Sequence, residues 1–446
     1  MPSLIPNSLP IEPKTRRLAE RILTRQARIV VLGQGFVGVP EAIDLVEAGF
    51  SVIGVDVDPG RVAALNDGRS PVPDVPSERL IEAVRRKQYR ATTDASVLSS
   101  ADVAIICAPT PLDDHRRADL TAVSAMATMI SRHLEQEVLV VLESTVPPGA
   151  TRGVVLPILE ADQRCAGTDF FLGLAPERID PGNHTIKRAD VPRLVSGLTD
   201  SCRRLTEILY RQVVQTVYPV ATPEVAELAK SVENSFRFIN ISFVNEVARL
   251  CDRLGCSVWE VIDAAASKPY AFLPHYPGPG VGGSCIPVVP HYLQQVAQDL
   301  GVRTDLIEAA VRTNDDMPRF VVRKLARILA ERGIELAHGR ILVVGVSYKP
   351  NLADVRETPA RAILEGLLAA GVHVEYHDPL VPRFVVEGAI MDSVDLESTM
   401  LARIDCVVLL TLHQQIDRDL LLAQARLIFD TRNALNASDR TNVVVL

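Results

Sequence analysis

The sequence predicts an α/β protein built from two doubly wound domains joined by a long helix. Residues 27–58 read as a strand, a glycine-rich turn, a helix and a second strand. A helical apolar repeat then extends from Thr222 to Leu254, and a second alternation of strands and helices begins near residue 340. Strands that alternate with helices are typical of parallel sheets covered by helices on both faces.

The elements divide into three predicted regions. Region 1–215 contains a short charged helix at 14–26 and further apolar strands at 102–109, 137–145 and 170–176. Region 216–317 is mostly helical, and region 318–446 is a second α/β domain whose first strand lies in RILVVGVSYKP. Both α/β regions are predicted to be Rossmann-like, that is, mainly parallel sheets with helical crossovers.

The long helix has an apolar stripe at steps of three and four residues. At a rise of 1.5 Å per residue it is roughly 50 Å long. Apolar residues also lie on its other side, so we expect it to be buried between domains or subunits and to contribute to a homodimer. The stripe consists of Leu228, Val232, Phe236, Ile239, Phe243, Val247, Leu250 and Leu254.

Composition excludes several classes of protein. The chain has 446 residues and a net charge of -8, which disfavours a nucleic-acid partner. It has no run of 18 apolar residues and no secretory leader pattern, so we expect a cytoplasmic protein with no membrane contact. Seven cysteines without a CxxC pair predict neither a disulfide framework nor a metal site.

A dinucleotide site is predicted at the first glycine turn. Gly33, Gly35 and Gly38 form GxGxxG, with Phe36 and Val37 between them, directly after a strand. The next strand ends at Asp56, which can accept hydrogen bonds from ribose hydroxyls and would repel the 2′-phosphate of NADP. Arg61 follows and could admit that phosphate, but the pattern favours NAD.

The loop Tyr276–Pro287, YPGPGVGGSCIP, surrounds Cys285 with glycines. A nucleophilic thiol needs this setting, because the substrate carbon must approach closely and backbone amides can stabilise an oxyanion. A buried structural thiol is the alternative interpretation, but it does not require a glycine-rich loop.

The sequence resembles the UDP-glucose and UDP-N-acetylhexosamine 6-dehydrogenases over nearly the whole chain from residue 27. The motifs that carry the resemblance are GQGFVG, APTPLDD, ESTVPPG, APERIDPGN, ELAKSVENSFR, PGPGVGGSCIP and YKPNLADVRETPA. PERIDPGN and YPGPGVGGSCIP are most similar to the UDP-N-acetylglucosamine branch. The resemblance implies a nucleotide-sugar substrate, two hydride transfers to NAD, and dimerisation through the long helix.

The resemblance also implies roles for individual residues. Cys285 would capture the aldehyde as a thiohemiacetal and later carry a thioester. Lys230 and Asn234, at i and i+4 on the helix face opposite the stripe, would stabilise charge on oxygen. Glu177 would be the general base of hydrolysis, and Thr110 would help to order the catalytic water. Cofactor contacts would include Thr110, Thr145 and Arg356, and substrate contacts Glu177, Arg178, Lys230, Asn234, Tyr276, Gly280, Gly282, Lys349 and Arg432.

The chain departs from the family pattern at several positions. Val289 stands four residues after the cysteine, where the family usually has an aspartate. Pro350 and Asn351 replace a lysine and an aspartate, which puts nucleotide contacts from that loop in doubt. Ser284 is the form of the glucose branch, so the sequence does not choose between glucose and an N-acetylated sugar, or between UDP and TDP.

Two other functions are consistent with parts of the sequence. A two-electron dehydrogenase of the 6-phosphogluconate type has the same dinucleotide domain and a long helix, but needs no cysteine in a glycine loop. A nucleotide-binding regulator without activity would be consistent with Val289 and Pro350.

Overall fold

The structure is a computed structural model that describes residues 13–72, 74–179 and 186–446. The described residues form two compact units: one extends to Glu233 and includes 291–296, and the other comprises 234–290 and 297–446. This division falls inside the long helix and differs from the predicted regions 1–215, 216–317 and 318–446, which therefore remain a prediction.

The first unit contains, in its described part, an eight-stranded sheet of order β3-β2-β1-β4-β5-β6-β7-β8. The strands pair in parallel except β6 with β7. The first six follow the 3-2-1-4-5-6 order of dinucleotide-binding sheets. The strands are β1 Arg28–Leu32, β2 Ser51–Val55, β3 Tyr89–Thr92, β4 Val103–Ile106, β5 Leu139–Leu142, β6 Phe171–Leu174, β7 Arg193–Gly197 and β8 Val217–Pro219.

Helices cover both faces of this sheet. The central strands β4, β5 and β6 are buried along their whole length, which explains their uninterrupted apolar sequences. Two apolar clusters lie on the opposite faces and hold the helices in place. The helices are α1 Pro13–Leu23, α2 Gly38–Glu47, α3 Pro59–Asn66, α4 Ser77–Arg85, α5 Thr121–Arg132, α6 Leu156–Leu159 and α7 Asp200–Tyr210.

The second unit contains a parallel sheet of order β10-β9-β13-β14-β15 and a hairpin of β11 with β12. Relative to its own first strand this order is 2-1-3-4-5, the other common doubly wound arrangement. The strands are β9 Arg340–Val344, β10 His373–His377, β11 Arg383–Val386, β12 Ala389–Asp392, β13 Cys406–Leu409, β14 Ile428–Asp430 and β15 Val443–Val445. The prediction of two Rossmann-like α/β domains is confirmed.

The remaining helices begin with α8 Pro223–Leu254, the long helix predicted over 222–254. They continue with α9 Val258–Ala266, α10 Val289–Asp299, α11 Asp305–Ala330, α12 Pro359–Ala369, α13 Ser398–Leu401 and α14 Arg418–Gln424. Within the described residues, none of the helices has the length and apolar content needed to cross a membrane.

Within the single chain, α8 is buried on one side only, so its burial between subunits stays a prediction. Its inner face, with Ala226, Phe238 and Ala248, is buried. The predicted stripe is instead largely open: Phe243 is 59% exposed and Leu250 is 58% exposed. Apart from Phe238 and Val244, the buried face is lined by small and polar side chains, whereas the larger apolar side chains of the stripe lie outside.

Candidate active site

The glycine turn between β1 and α2 has the geometry of a phosphate site. Gly33 has φ +87°, and a Cβ there would lie 2.4 Å from the carbonyl oxygen of Cys107. A Cβ on Gly38 would lie 1.8 Å from the carbonyl oxygen of Gly33. A Cβ on Gly35 would meet nothing within 4 Å, so this glycine leaves open surface at the start of α2. Phe36 and Val37, between these glycines, are half-buried.

Asp56 closes the turn from the end of β2. Its side chain accepts hydrogen bonds from the backbone N–H of Gln34 at 2.8 Å and of Asp58 at 3.0 Å. Arg61 forms an ion pair with the same carboxylate at 3.0 Å. The turn therefore fits the pyrophosphate and ribose of a dinucleotide, with Arg61 held on Asp56.

Thr110 and Thr145 come together where β4 and β5 end. The Thr110 hydroxyl donates to the Thr145 carbonyl oxygen at 2.8 Å. The Thr110 carbonyl accepts a hydrogen bond from the hydroxyl of Tyr292, a residue that sequence reasoning did not single out. Gln295, one turn later on α10, accepts from the Ala118 N–H at 2.9 Å. No local sequence pattern indicated these two contacts of α10, because about 180 residues separate the partners in each.

Glu177 follows β6 and is held at both carboxylate oxygens. Oε1 accepts from the backbone N–H of Arg178 at 2.7 Å and of Ile179 at 2.9 Å. Oε2 accepts from Arg193 at 2.8 Å. Burial acts to raise the pKa of Glu177, but Arg193 and Arg188 outweigh it and lower that pKa to about 2. The hydrogen bonds and the two arginines therefore favour the ionised form of the Glu177 carboxyl group.

Arg178, the neighbouring candidate, binds within the first unit. Its guanidinium forms an ion pair with Glu233 at 2.5 Å and donates to the Pro192 carbonyl at 2.7 Å. These contacts fix the side chain and occupy much of its donor capacity, although it was predicted to contact substrate.

Lys230 and Asn234 lie on the side of α8 away from the open stripe, as predicted. Lys230 is 7% exposed, and no carboxylate of a described residue lies within ion-pair distance of its ammonium. The side-chain nitrogen of Asn234 is buried and has no hydrogen-bond partner among the described residues. A buried cation and a buried donor without partners are costly unless something else satisfies them, which is expected of groups that meet a ligand.

The glycine loop of Cys285 is fixed from three directions. Asn245 accepts from the Gly278 N–H at 2.9 Å, and Asn314 accepts from the Val281 N–H at 2.8 Å. The Gly283 N–H donates to the Arg356 carbonyl at 3.0 Å. These three amides are thus committed to internal partners and do not serve an oxyanion. Neither asparagine was predicted from the sequence.

The thiol of Cys285 is exposed at the end of this loop. The Ser284 hydroxyl lies 3.7 Å from its sulfur, and the Cys285 carbonyl accepts from the Val289 N–H at 2.9 Å. Cys285 therefore precedes α10 by one helical turn. Val289 is a buried apolar residue, so this position supplies no carboxylate near the cysteine.

The loop packs against the C-terminal domain. A Cβ on Gly282 would lie 2.6 Å from the Tyr348 side chain, and a Cβ on Gly280 would lie 3.1 Å from Pro359. Arg432 lies 3.2 Å from the corresponding point on Gly278, and burial lowers its pKa to about 10. The glycines are therefore required by close packing at these points.

The other predicted substrate and cofactor residues of this unit have defined surroundings. Tyr276 stacks on Trp259 at 5.6 Å and donates to Asp263 at 2.8 Å. Arg356 forms a two-pronged ion pair with Asp354, and its guanidinium is close enough to Cys285 to interact with a thiolate charge. Lys349 is half-buried beside Tyr348.

Asn351, one of the departures from the family pattern, is occupied by contacts within its own domain. Its N–H donates to His413 at 2.9 Å, and its side chain accepts from the Gln414 N–H at 2.8 Å.

The candidate residues thus fall into two groups. The first unit contains the glycine turn, Asp56, Arg61, Thr110, Thr145, Glu177, Arg178 and Lys230. The second unit contains Asn234, Tyr276, Gly280, Gly282, Cys285, Lys349, Arg356 and Arg432.

Comparison with known families identifies three matching domains. The chain matches the UDP-glucose/GDP-mannose dehydrogenase family in its NAD-binding domain over 27–214, its central domain over 224–316 and its UDP-binding domain over 342–437.

Individual relatives extend over most of the chain. It is 34% identical to a UDP-N-acetyl-D-glucosamine 6-dehydrogenase from Pseudomonas aeruginosa, over 80% of this chain and 84% of the relative. The structure is similar to a UDP-D-ManNAc dehydrogenase from Pyrococcus horikoshii, with TM-score 0.84 and 28% identity over 94% and 98% of the two chains. A UDP-glucose dehydrogenase from Pyrobaculum islandicum gives TM-score 0.82 and 27% identity over 94% and 96%. The chain belongs to the UDP-glucose/GDP-mannose dehydrogenase family and is an NAD-dependent nucleotide-sugar dehydrogenase.

Proposed function

We propose that this enzyme oxidises the C6 alcohol of a UDP-hexose to a carboxylate through intermediates bound to Cys285. The observation that carries the proposal is the exposed thiol on a loop fixed by Asn245, Asn314 and the Arg356 carbonyl. A fixed, accessible thiol is suited to hold a reactive carbon while other groups exchange around it.

The reaction balances as a four-electron oxidation. The alcohol loses a hydride and a proton to become an aldehyde, and the Cys285 sulfur adds to the aldehyde carbon to form a thiohemiacetal. Loss of a second hydride and a proton gives a thioester, and water releases the carboxylate and the thiol. NAD, which the glycine turn and Asp56 would hold, would accept the hydride in each oxidation.

Lys230 and Asn234 would stabilise the oxygen on which negative charge develops. Lys230 is buried without an ion pair among the described residues, and the Asn234 nitrogen has no partner there. An ammonium in such surroundings interacts strongly with an alkoxide, because little water screens it. These two residues would therefore act in both oxidations.

Glu177 would orient the water that hydrolyses the thioester, with help from Thr110. Because its pKa is lowered to about 2, we assign it the role of a fixed carboxylate that accepts a hydrogen bond from this water. This replaces the general-base role expected from the family resemblance. Thr110 lies at the end of β4, where its hydroxyl is already bound to Thr145.

The nucleotide would bind the C-terminal domain, which matches the family's UDP-binding domain. Arg432 and Lys349 supply positive charge for the diphosphate, and Tyr276 lies at the start of the cysteine loop. Gly280 and Gly282 keep that loop close to the domain. These assignments extend the family resemblance to this chain.

We propose UDP-N-acetylhexosamines before UDP-glucose as substrates. The relatives from Pseudomonas and Pyrococcus are named for N-acetylated sugars, and the PERIDPGN and YPGPGVGGSCIP motifs favour the same branch. Ser284 and the likeness to the Pyrobaculum enzyme favour glucose. The uronate product would be an activated precursor for polysaccharide biosynthesis.

We also propose that a second copy of the chain covers the open stripe of α8. Phe243→Glu places a charge at a position that is 59% exposed, so it should shift the protein from dimer to monomer in native mass spectrometry. Leu306→Glu, at a position that is 66% exposed on α11, is the matched control and should leave the assembly unchanged. A wild-type protein that is monomeric at every accessible concentration contradicts the proposal.

A panel of nucleotide sugars tests the reaction. Each is incubated with NAD and the purified enzyme, and NADH absorbance and product mass are recorded. We expect two NADH per molecule of uronate, with the highest kcat/KM on a UDP-N-acetylhexosamine. One NADH per sugar would indicate a two-electron dehydrogenase, and binding without turnover on the whole panel would indicate a regulator.

A further inference from the structure

A cluster of charged side chains lies behind Glu177 inside the first unit. Glu41, on α2, is fully buried, and the side chain of Arg193, on β7, is 6% exposed. Glu143 follows β5 and is also fully buried, and Arg188 precedes β7. Charges buried to this degree are retained only when they are paired. The partners of each side chain in this cluster therefore indicate its structural role.

Arg193 is at the centre of the cluster. One terminal nitrogen donates to Glu177 at 2.8 Å and lies 3.7 Å from Glu143, and the other donates to Glu41 at 2.6 Å. Its guanidinium also stacks over the ring of Tyr210 at 4.9 Å. The planar fork of an arginine can bind two carboxylates in fixed directions, which a single ammonium cannot do.

Arg193 fixes the side of Glu177 that the backbone does not hold. The N–H groups of Arg178 and Ile179 bind Oε1, and Arg193 binds Oε2. With both oxygens held, the carboxylate cannot rotate without losing a charge-assisted hydrogen bond. Its remaining lone pairs therefore point in a constant direction.

The cluster shifts the pKa values of its carboxyl groups in different directions. Burial raises the pKa values of Glu41 and Glu143, and Tyr210 donates a hydrogen bond to Glu143. Burial also acts to raise the pKa of Glu177, but Arg193 and then Arg188 outweigh it. Arg188 is itself shared with Asp44, at 2.5 Å, and with Glu41, at 3.1 Å.

We propose that Arg193 is a positioning residue for the reaction, which fixes the orientation and the charge of the Glu177 carboxylate from behind. This inference rests on the proposed role of Glu177 in hydrolysis. Arg193 would act through Glu177 alone. Glu41 serves as the counter-charge that keeps the guanidinium in place between the two carboxylates.

The pH dependence of kcat tests the proposal on the intact enzyme with NAD and its best nucleotide sugar. In the wild type, the pKa of Glu177 is lowered to about 2, so protonation of this carboxyl group should not limit kcat in the pH range in which the enzyme is assayed. In Arg193→Met, the pKa of Glu177 should rise past its ordinary 4.5, because burial remains while its main counter-charge is gone. A new acid limb should then appear in kcat, whereas the dissociation constant for NAD should stay within about twofold.

Two further variants keep the test decisive. Arg193→Lys retains the charge and should move the acid limb back toward the wild-type position. If Arg193→Met does not fold, the charge-balanced pair Arg193→Met with Glu41→Gln removes one charge of each sign, and it should show the same acid limb. A folded variant of either kind with the wild-type pH profile overturns the proposal.

Glu177→Gln separates this inference from the proposed function. It should lower kcat and show no acid limb in the Arg193→Met background, because the titrating group is gone. A fully active Glu177→Gln enzyme would overturn both the role of Glu177 and that of Arg193. A slow Glu177→Gln enzyme together with a wild-type pH profile in Arg193→Met would overturn only the inference about Arg193.

Discussion

The turn after β1 and the turn after β9 begin the two α/β domains in the same way. Each contains a glycine with positive φ, Gly33 and Gly345. A Cβ on Gly33 would lie 2.4 Å from the Cys107 carbonyl oxygen, and one on Gly345 would lie 1.9 Å from that of Thr411. In each domain the next strand, β2 or β10, is followed directly by an aspartate, Asp56 or Asp378.

The two aspartates have different partners. Asp378 accepts from the N–H groups of Val346 and Ser347 and from His413 at 3.1 Å, and the side chains of Asp378 and His413 are both fully buried. Asp56 accepts from the Gln34 N–H and pairs with Arg61, whose side chain is 39% exposed. The second aspartate is therefore paired with a fully buried histidine, whereas the first is paired with a partly exposed arginine.

The helix that follows each turn also differs. α2 begins at Gly38, five residues after Gly33, whereas α12 begins at Pro359, 14 residues after Gly345. The second turn thus does not present a helix N-terminus to a phosphate. Two domains of similar architecture therefore differ at this turn in the contacts of one carboxylate and in the start of one helix.

Glycine substitutions should give the largest effects. Gly345→Ala and Gly33→Ala each introduce a Cβ against a carbonyl oxygen at positive φ, so each should lower the free energy of unfolding by at least about 2 kcal/mol. Gly35→Ala is the control, since its Cβ meets nothing within 4 Å. It should keep its melting temperature and bind NAD less tightly. Urea unfolding measures the stability and NAD titration measures the affinity. A Gly345→Ala protein as stable as the wild type would contradict the similarity of the two turns.

Asp378→Asn should destabilise the second domain by about 1–3 kcal/mol at neutral pH. Burial acts to raise the pKa of Asp378, but hydrogen bonds from His413 and the backbone hold it below its usual 3.8. A carboxyl group with a lowered native pKa contributes stability above its unfolded-state pKa, and that contribution is lost as the pH falls through the native value. The difference between wild type and Asp378→Asn should therefore shrink below about pH 4. A difference that grows on acidification would contradict this account.

Asp56→Asn should have the smallest effect on stability and act mainly on cofactor choice. Removing the carboxylate charge should narrow the preference for NAD over NADP by about tenfold in kcat/KM, because Arg61 becomes available to a 2′-phosphate. Arg61→Ala is the matched control and should leave NADP disfavoured. An unchanged preference in Asp56→Asn would indicate that discrimination depends on other groups.

Local patterns predicted the main elements of the fold. The apolar sequences of β1, β4, β5 and β6 were recognisable because buried parallel strands carry uninterrupted apolar side chains. β3 and β8 were missed because they are short edge strands, and β7 because its sequence mixes charged and polar residues with apolar ones. The stripe of α8 was predicted correctly as a pattern, but a single sequence does not show which side of a two-sided helix lies outside.

The site was predictable where a motif is contiguous and not where partners are distant. GxGxxG and the glycine loop around Cys285 were evident because their chemistry lies within a few residues. The Arg193 cluster joins groups up to 152 residues apart, and Asn245 reaches Gly278 across 33 residues. The lowered pKa of Glu177 depends on those distant contacts, so the sequence alone did not indicate it.

Single-turnover product analysis of Cys285→Ser tests the central claim most directly. Enzyme in excess of nucleotide sugar is mixed with NAD, and carboxylate and protein-bound sugar are measured over time by mass spectrometry. The variant should bind the nucleotide sugar with nearly wild-type affinity, form carboxylate far more slowly, and accumulate an ester adduct on the introduced hydroxyl if that oxygen adds to the aldehyde. Carboxylate formed at the wild-type rate would contradict the covalent mechanism and leave Cys285 without a chemical role.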